Sequence, residues 1–255
     1  MRIGLVIPTY NEAKNLPDLV STLSRLPLDL RLLVVDDNSP DSTGKIAENL
    51  SAANGYRLEV LHRPKKMGLG SAYIQGFRYF LSQKVDAVGQ IDADFSHDPT
   101  AMIAMVKKLG SSDLVLGSRY VRGGSVDERW PPRRKYLSVW GNLYARHVLG
   151  FSYQDATTGY RLWRSDTLQR FPLDRIQSNG YFFQVEMLYL AHRLGLVISE
   201  SPIHFSERRY GKTKMSFKIQ AEAALRVWQL PYIYRDLYPN SNDETLNDHK
   251  KGSHG

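Results

Sequence analysis

Ala87-Val88-Gly89-Gln90-Ile91-Asp92-Ala93-Asp94 is the stretch on which the reading of this chain turns. A short apolar run of this length fits a buried strand. It stops at two carboxylates two residues apart. In extended backbone, residues i and i+2 point the same way. Asp92 and Asp94 are therefore expected to reach one hard cation, which prefers oxygen ligands and in turn grips a diphosphate. On its own an Asp-x-Asp is weak evidence, because two Asp near a strand end are usually solvated turn residues.

The neighbouring sequence repeats one theme of apolar strand, polar loop and helix. Arg2 to Ile7 reads as a strand and runs into Pro8-Thr9-Tyr10-Asn11-Glu12. Glu12 to Leu26 has helical spacing, with Leu16, Leu19, Val20 and Leu23 on one face. Leu30 to Val35 is a second strand, ending in Asp36-Asp37-Asn38-Ser39-Pro40-Asp41-Ser42-Thr43, a loop that opens a helix to about Ala52. A third strand (Arg57 to Leu61) leads through a Lys/Gly loop into a helix over Ser71 to Leu81. After the Asp-x-Asp, a helix over Pro99 to Leu109 starts with Pro where a helix tolerates it, and Asp113 to Gly117 is a fifth strand. Near-continuous apolar strands alternating with helices predict an α/β fold with a mostly parallel sheet covered on both faces. Ligands of such sheets sit beyond the carboxyl ends of the strands, where these polar residues all fall.

The chain has 255 residues, enough for one large domain with an appendage, and no cysteine. Disulfides and Cys-based metal or nucleophile sites are excluded. Met1-Arg2-Ile3 enters a strand without a signal-peptide layout, and no run of 18 apolar residues is present. Residues 239–255 are polar and read as a disordered tail. The net charge of +8 is focused. Residues 122–146 carry six basic against two acidic side chains, and residues 204–218 five against one, which accounts for the whole excess. Focused positive charge attracts anions: nucleic acid, an anionic membrane or phosphorylated small molecules. A nucleic-acid binder is disfavoured, because the charge is split between two segments and no nucleic-acid motif accompanies it.

The ordered set Pro8-Thr9-Tyr10-Asn11-Glu12, Val35 to Asp41, Gly68-Leu69-Gly70, Asp92 to Pro99 and Gly117-Ser118-Arg119-Tyr120 resembles inverting GT-A (Rossmann-like) glycosyltransferases. Asp155-Ala156-Thr157-Thr158-Gly159-Tyr160-Arg161 and Arg208-Arg209-Tyr210-Gly211-Lys212-Thr213-Lys214-Met215 narrow this to dolichol/polyprenol phosphate mannosyltransferases. The resemblance spans roughly residues 2–216 and implies a catalytic domain over 1–215. It implies transfer of mannose from GDP-mannose to a dolichol or polyprenol phosphate with inversion, releasing GDP. A relative using UDP-glucose and a lipid phosphate or another acceptor is the enzymatic alternative, and the residues alone do not separate the two.

The resemblance places Pro8, Tyr10, Glu12, Val35 and Asp37 on the guanosine part of the donor. It places Asp92, Ala93 and Asp94 at the diphosphate, with Asp92 and Asp94 holding Mg²⁺ or Mn²⁺. Ser96 stands where some relatives have a Gln ligand, and its shorter side chain makes direct ligation doubtful. Arg119 offers a planar fork suited to phosphate oxygens, with a surface ion pair as its plainer reading; Asp94 and Arg119 are the expected catalytic pair. Arg134 and Ser138 share a helix face four residues apart and match positions that contact the acceptor phosphate. Arg208 and Lys214 bracket a basic Gly-containing loop expected to close on phosphates. Asp37 reads as a binding residue, Asp41 as a helix cap, and His97 more readily as structural than as a ligand. Tyr181, Gln184 and Glu186 are as readily structural as functional. The helix expected over 216–238 is amphipathic: it lies on a membrane surface, docks a small membrane-protein partner, or packs on the catalytic domain. Trp130 and Trp140, interleaved with basic residues, also suit a membrane interface. The expected location is cytoplasmic, peripheral to a membrane.

Overall fold

The strand that opens the chain, β1 (Arg2–Thr9), packs Ile3, Leu5 and Ile7 on one face and Val6 on the other. That alternation is what a strand buried on both sides requires. The structure, a computed structural model, describes residues 1–180, 182–210 and 217–237. Tyr181, Gly211, Lys214 and the tail read at 239–255 lie outside the described residues.

Next come α1 (Leu16–Ser24), β2 (Asp29–Asp36), α2 (Thr43–Asn54), β3 (Leu58–His62), α3 (Leu69–Ser82) and β4 (Ala87–Gln90). They are followed by α4 (Met102–Leu109), β5 (Leu114–Ser118), β6 (Ser125–Val126), α5 (Pro132–Leu149) and β7 (Arg161–Arg164). The described chain closes with α6 (Ser165–Arg170), α7 (Phe182–Arg193), β8 (Ile198–Pro202), β9 (His204–Phe205) and α8 (Phe217–Ile233). The main sheet has the order β3-β2-β1-β4-β7-β5-β8. β1, β2, β3 and β4 are parallel, as are β5 and β8; β7 runs antiparallel between β4 and β5. The mostly parallel, helix-covered α/β fold is as expected, and the polar loops after β1, β2, β4 and β5 emerge at one edge.

Two local expectations are corrected. α1 begins at Leu16 rather than Glu12, since Pro17 is tolerated only in a first turn. β4 ends at Gln90, so Asp92 and Asp94 lie beyond the strand, Asp94 in a turn. The turn forms because Asp94 accepts the Ser96 backbone N–H at 3.0 Å, and Phe95 takes a left-handed φ of 60°.

Two apolar layers hold the sheet, one under α3 and α7, the other under α1 and α4. Gly4 allows β1 to touch α3, because a methyl there would overlap the Phe80 ring. Gly4→Ala is therefore expected to destabilise by about 1–3 kcal/mol through overpacking, read as a lowered urea midpoint with unchanged slope. α8 packs on α5 and α7 through Val227 and Leu230, and Tyr234, just past its end, joins the same core. Its other side leaves Leu225, Trp228 and Tyr232 exposed at 71%, 65% and 68%. Among the described residues, no helix is long and apolar enough to cross a membrane.

Candidate active site

The loops after β1 and β2 are zipped together. Ser39 Oγ accepts the Asn11 N–H at 3.1 Å, and Thr43 Oγ1 accepts the Glu12 N–H at 2.9 Å. Asp41 accepts from the N–H of Thr43, the first α2 residue, and from Ala13 N–H, each at 3.1 Å. It thus caps the helix start and ties the two loops. Left-handed Asn11 (φ 63°) and Asn38 (φ 57°) turn the backbone there, as Asn tolerates best after Gly. Pro8 is the last residue but one of β1, and Tyr10 lies beneath the Lys66 ammonium, 3.9 Å from its ring centroid. Glu12 accepts from the Asn15 side chain at 2.7 Å. The Val35 side chain is in the core, so it supports this region from below.

Asp37 does not stand as an open acceptor. Arg63, itself buried, donates to one carboxylate oxygen at 2.5 Å, and the Gly68 N–H donates to the other at 2.9 Å. Arg63 also donates to Ser71 Oγ at 2.5 Å. Asp37 thereby fixes the Lys/Gly loop against β2. Sequence reasoning missed Arg63; the available signal was its place just beyond the end of a strand.

At the sheet centre, Asp92 and Asp94 are held differently. Tyr73 OH donates to Asp92 Oδ1 at 3.2 Å, and His97 Nδ1 stands 4.0 Å from Oδ2. The low-dielectric surroundings push the Asp92 carboxyl above its ordinary value. Asp94 Oδ1 accepts from Ser96 Oγ at 2.6 Å as well as from Ser96 N–H. Ser96 thus orients an expected metal ligand from behind. Asp94 Oδ2 is 3.2 Å from Arg208 Nε. The basic segment is also clipped on through the backbone, with Ser206 N–H to Ser96 O at 2.9 Å and Arg209 N–H to Asp94 O at 3.2 Å. His97 is buried between the rings of Tyr160 and Phe205, and burial lowers its pKa.

The donor set fits a hard divalent cation. The Asp94 charge acts on Asp92, and Asp94 already draws a guanidinium to its oxygen. Among the described residues no cluster of three or more His, Asp or Glu would hold a metal unaided. Diphosphate oxygens and water would complete the shell, the usual arrangement for Mg²⁺.

Arg119 is neither a surface ion pair nor an open phosphate fork. Its Nε and Nη2 donate to Asp155 at 2.7 and 2.6 Å, and Nη2 also donates to Thr157 Oγ1 at 2.7 Å. Both residues of the pair are buried. Burial works against the Asp155 charge, and Arg119 more than offsets it, leaving the carboxyl below its ordinary value. The bidentate pair ties the end of β5 to the 155–159 loop. Arg161 holds that loop from within, donating to Thr158 O at 3.0 Å and Ala156 O at 2.9 Å. Burial lowers the Arg161 guanidinium to about 9.

α5 brings Arg134 and Ser138 to the same side, as their spacing predicts. Arg134 pairs with Glu207 at 2.6 Å and lies 3.7 Å over the Trp130 ring. Ser138 Oγ accepts from Tyr120 OH at 2.6 Å. Trp130 is buried under Arg134 and Phe205, not at a surface, whereas Trp140 is 49% exposed. Consecutive residues of one segment thus make two ion pairs, Glu207 with Arg134 and Arg208 with Asp94.

Two carboxylates stand beyond the centre of a mostly parallel sheet, faced by a basic segment. The chain belongs to Glycosyl transferase family 2, whose pattern matches residues 5–171; it is a glycosyltransferase. It is 45% identical over 239 residues to the undecaprenyl-phosphate mannosyltransferase of Micrococcus luteus, covering 93% of this chain and 98% of that protein. It is 41% identical over 227 residues to the polyprenol monophosphomannose synthase of Mycolicibacterium smegmatis, covering 89% and 85%. Glucosyl-3-phosphoglycerate synthase of Mycobacterium tuberculosis, solved with Mn²⁺, UDP-glucose and phosphoglyceric acid, shares the fold. Its TM-score is 0.63 at 21% identity, over 94% of this chain and 81% of that one.

Proposed function

We propose that this glycosyltransferase moves mannose from GDP-mannose to the phosphate of a dolichol or polyprenol phosphate, with inversion and release of GDP. The observation that carries the reading is that consecutive residues of one segment reach two places, Arg208 to Asp94 and Glu207 to Arg134. It sets a cation and diphosphate site beside basic groups suited to a second, anionic substrate. The names of the two mannosyltransferase relatives support the same acceptor class.

A phosphate monoester is already an anionic nucleophile, so no strong general base is needed. An acceptor phosphate oxygen attacks the anomeric carbon of mannose. The bond from that carbon to the β-phosphate oxygen breaks on the opposite face, and its electron pair leaves on GDP. Arg208 is placed to balance charge on the leaving diphosphate once it is released from Asp94, and Arg134 to hold the incoming phosphate. Lys214 is assigned to the same anionic region by its match to the family motif. Mg²⁺ or Mn²⁺, when held by Asp92 and Asp94, neutralises the leaving diphosphate. Arg119 serves by bracing the 155–159 loop rather than by touching phosphate. Calorimetric titration of GDP and UDP in the presence of Mn²⁺ tests the donor: tighter binding of GDP is expected, and preference for UDP would move the reading to UDP-glucose.

The acceptor's long hydrocarbon must lie outside this polar site, and α5 supplies the continuation. Its inner side carries Arg134 and Ser138, while Tyr136, Val139, Trp140 and Leu143 are 72%, 51%, 49% and 57% exposed. Spacing of three and four residues puts them on one stripe. Trp140 stacks on Tyr144 at 5.2 Å, and Trp228 Nε1 donates to Tyr144 OH at 2.7 Å, which joins the α5 stripe to the exposed side of α8. Arg133 lies on the same helix, and Arg235 stands 4.6 Å over the Tyr232 ring. Exposed aromatic and aliphatic side chains edged by positive charge suit an anionic lipid surface. In flotation with liposomes containing anionic lipid, Tyr136→Ser/Leu143→Ser/Leu225→Ser is expected to reduce the bound fraction at least about tenfold. Undiminished binding by the folded variant would remove this face from the account.

A further inference from the structure

The start of α7 carries two buried polar side chains with opposite fates. Glu186 is fully employed: it accepts from the N–H groups of Gln177 and Ser178 at 3.2 and 2.8 Å, and from Tyr234 OH at 2.6 Å. It anchors the chain entering α7 and ties it to the segment after α8. Gln184 is 2% exposed, yet among the described residues neither its Oε1 nor its Nε2 has a partner. Buried amides are nearly always paired, because leaving one unpaired forfeits its hydration without return. The helix start is already held by Glu186, so the Gln184 amide is not needed for that purpose.

Its position points to a ligand. A β-carbon built on Gly159 would stand 3.4 Å from Asp92 Oδ1 and 3.6 Å from Gln184 Nε2. The absent side chain of Gly159 therefore leaves a gap with the Asp92 carboxylate on one side and the Gln184 amide on the other. Gly159 itself is half-buried. The two walls are rigidly related: Phe183 stacks on Tyr73 at 5.9 Å with an 8° interplanar angle, and Tyr73 OH donates to Asp92.

We infer that Gln184 reads the hydroxyls of the donor hexose and sets which hexose is transferred. The inference rests on the reading of Asp92 and Asp94 as the diphosphate end of the site. The group one bond beyond the diphosphate is the hexose, and its hydroxyls are neutral. A carboxamide accepts at Oε1 and donates at Nε2 in one plane, which matches neighbouring hydroxyls. A phosphate calls for cationic donors, and Arg134 and Arg208 supply those elsewhere in the site. A site built to hydrogen-bond a substrate hydroxyl rejects the analogue that misplaces it, because its own buried groups are then left unpaired.

The test compares wild type with Gln184→Met, which keeps the length and apolar stem and removes the amide. Calorimetry measures GDP and GDP-mannose with Mn²⁺ and no acceptor; turnover is measured with GDP-mannose and GDP-glucose. The variant is expected to bind GDP as wild type does. It binds GDP-mannose at least about tenfold more weakly, and its preference for mannose over glucose in kcat/KM narrows by about 10² or more. Unchanged hexose-dependent affinity and unchanged preference in a folded variant overturn the inference. Equal loss of GDP and GDP-mannose binding also overturns it, assigning Gln184 to the framework. If wild type binds neither guanosine ligand but binds UDP-glucose, the donor reading fails separately. The comparison of UDP-glucose with UDP then decides Gln184 by the same criterion.

Discussion

Asp94→Asn is expected to lower metal-dependent sugar transfer by about 10³-fold or more, because several kcal/mol of charge stabilisation at the leaving diphosphate is removed. The substitution is close to isosteric. The amide oxygen can still accept from Ser96 N–H and Oγ, which hold Asp94 Oδ1 at 3.0 and 2.6 Å. The turn should therefore persist and the melting temperature change little. What changes is the charge that draws Arg208 to 3.2 Å and that would draw the cation. Mn²⁺ titration followed by electron paramagnetic resonance should show weakened binding in step with lost turnover. Ser96→Ala is the graded companion: Ser96 touches the ligand rather than the cation, and loss of about 10–100-fold in metal affinity is expected. If Asp94→Asn bound Mn²⁺ and turned over normally, the acidic pair would not be the cation site.

The second large effect is on stability. Arg119→Ala removes the partner of Asp155, which is fully buried. An uncompensated buried carboxylate costs roughly 3–5 kcal/mol, enough to shift a denaturant midpoint clearly. Arg119→Met/Asp155→Leu, which fills the space with apolar atoms, is expected to recover much of the loss, as replaced buried ion pairs often do. The acid limb carries the same signature. The Asp155 carboxyl is lowered in the folded state, so its contribution is present above the unfolded-state value of about 3.9 and lost as pH falls through the folded value. In Arg119→Ala that arm should move to higher pH. A phosphate-binding Arg119 would instead show as a raised KM with stability intact.

Much of this fold was legible because its parallel strands are apolar runs that end in polar loops. Leu30 to Val35 and Ala87 to Ile91 need no partner to be recognised, and each resulting strand matches to within a few residues. β7 was not legible. It is four residues long with Arg at both ends, and it is a strand because β4 and β5 leave an antiparallel slot between them. The site divides in the same way. The acidic pair, the Arg134 and Ser138 spacing and the basic segment are local patterns and were visible. Partnerships across sequence distance were not: Arg119 meets Asp155 36 residues on, and Asp37 meets Arg63 26 residues on. Both residues looked like open ligand contacts until their partners were in place. Gln184 and Glu186 look equivalent in the sequence and separate only when the hydrogen bonds of each are known.

The most direct test of the account incubates the full chain with GDP-mannose, a short polyprenyl phosphate and Mg²⁺ or Mn²⁺, and follows both GDP release and the lipid product by mass spectrometry. The account predicts GDP release that depends on acceptor and metal, with a mannosyl phospholipid formed in equal amount. No product from GDP-mannose, with release of UDP from UDP-glucose under the same conditions, would contradict it.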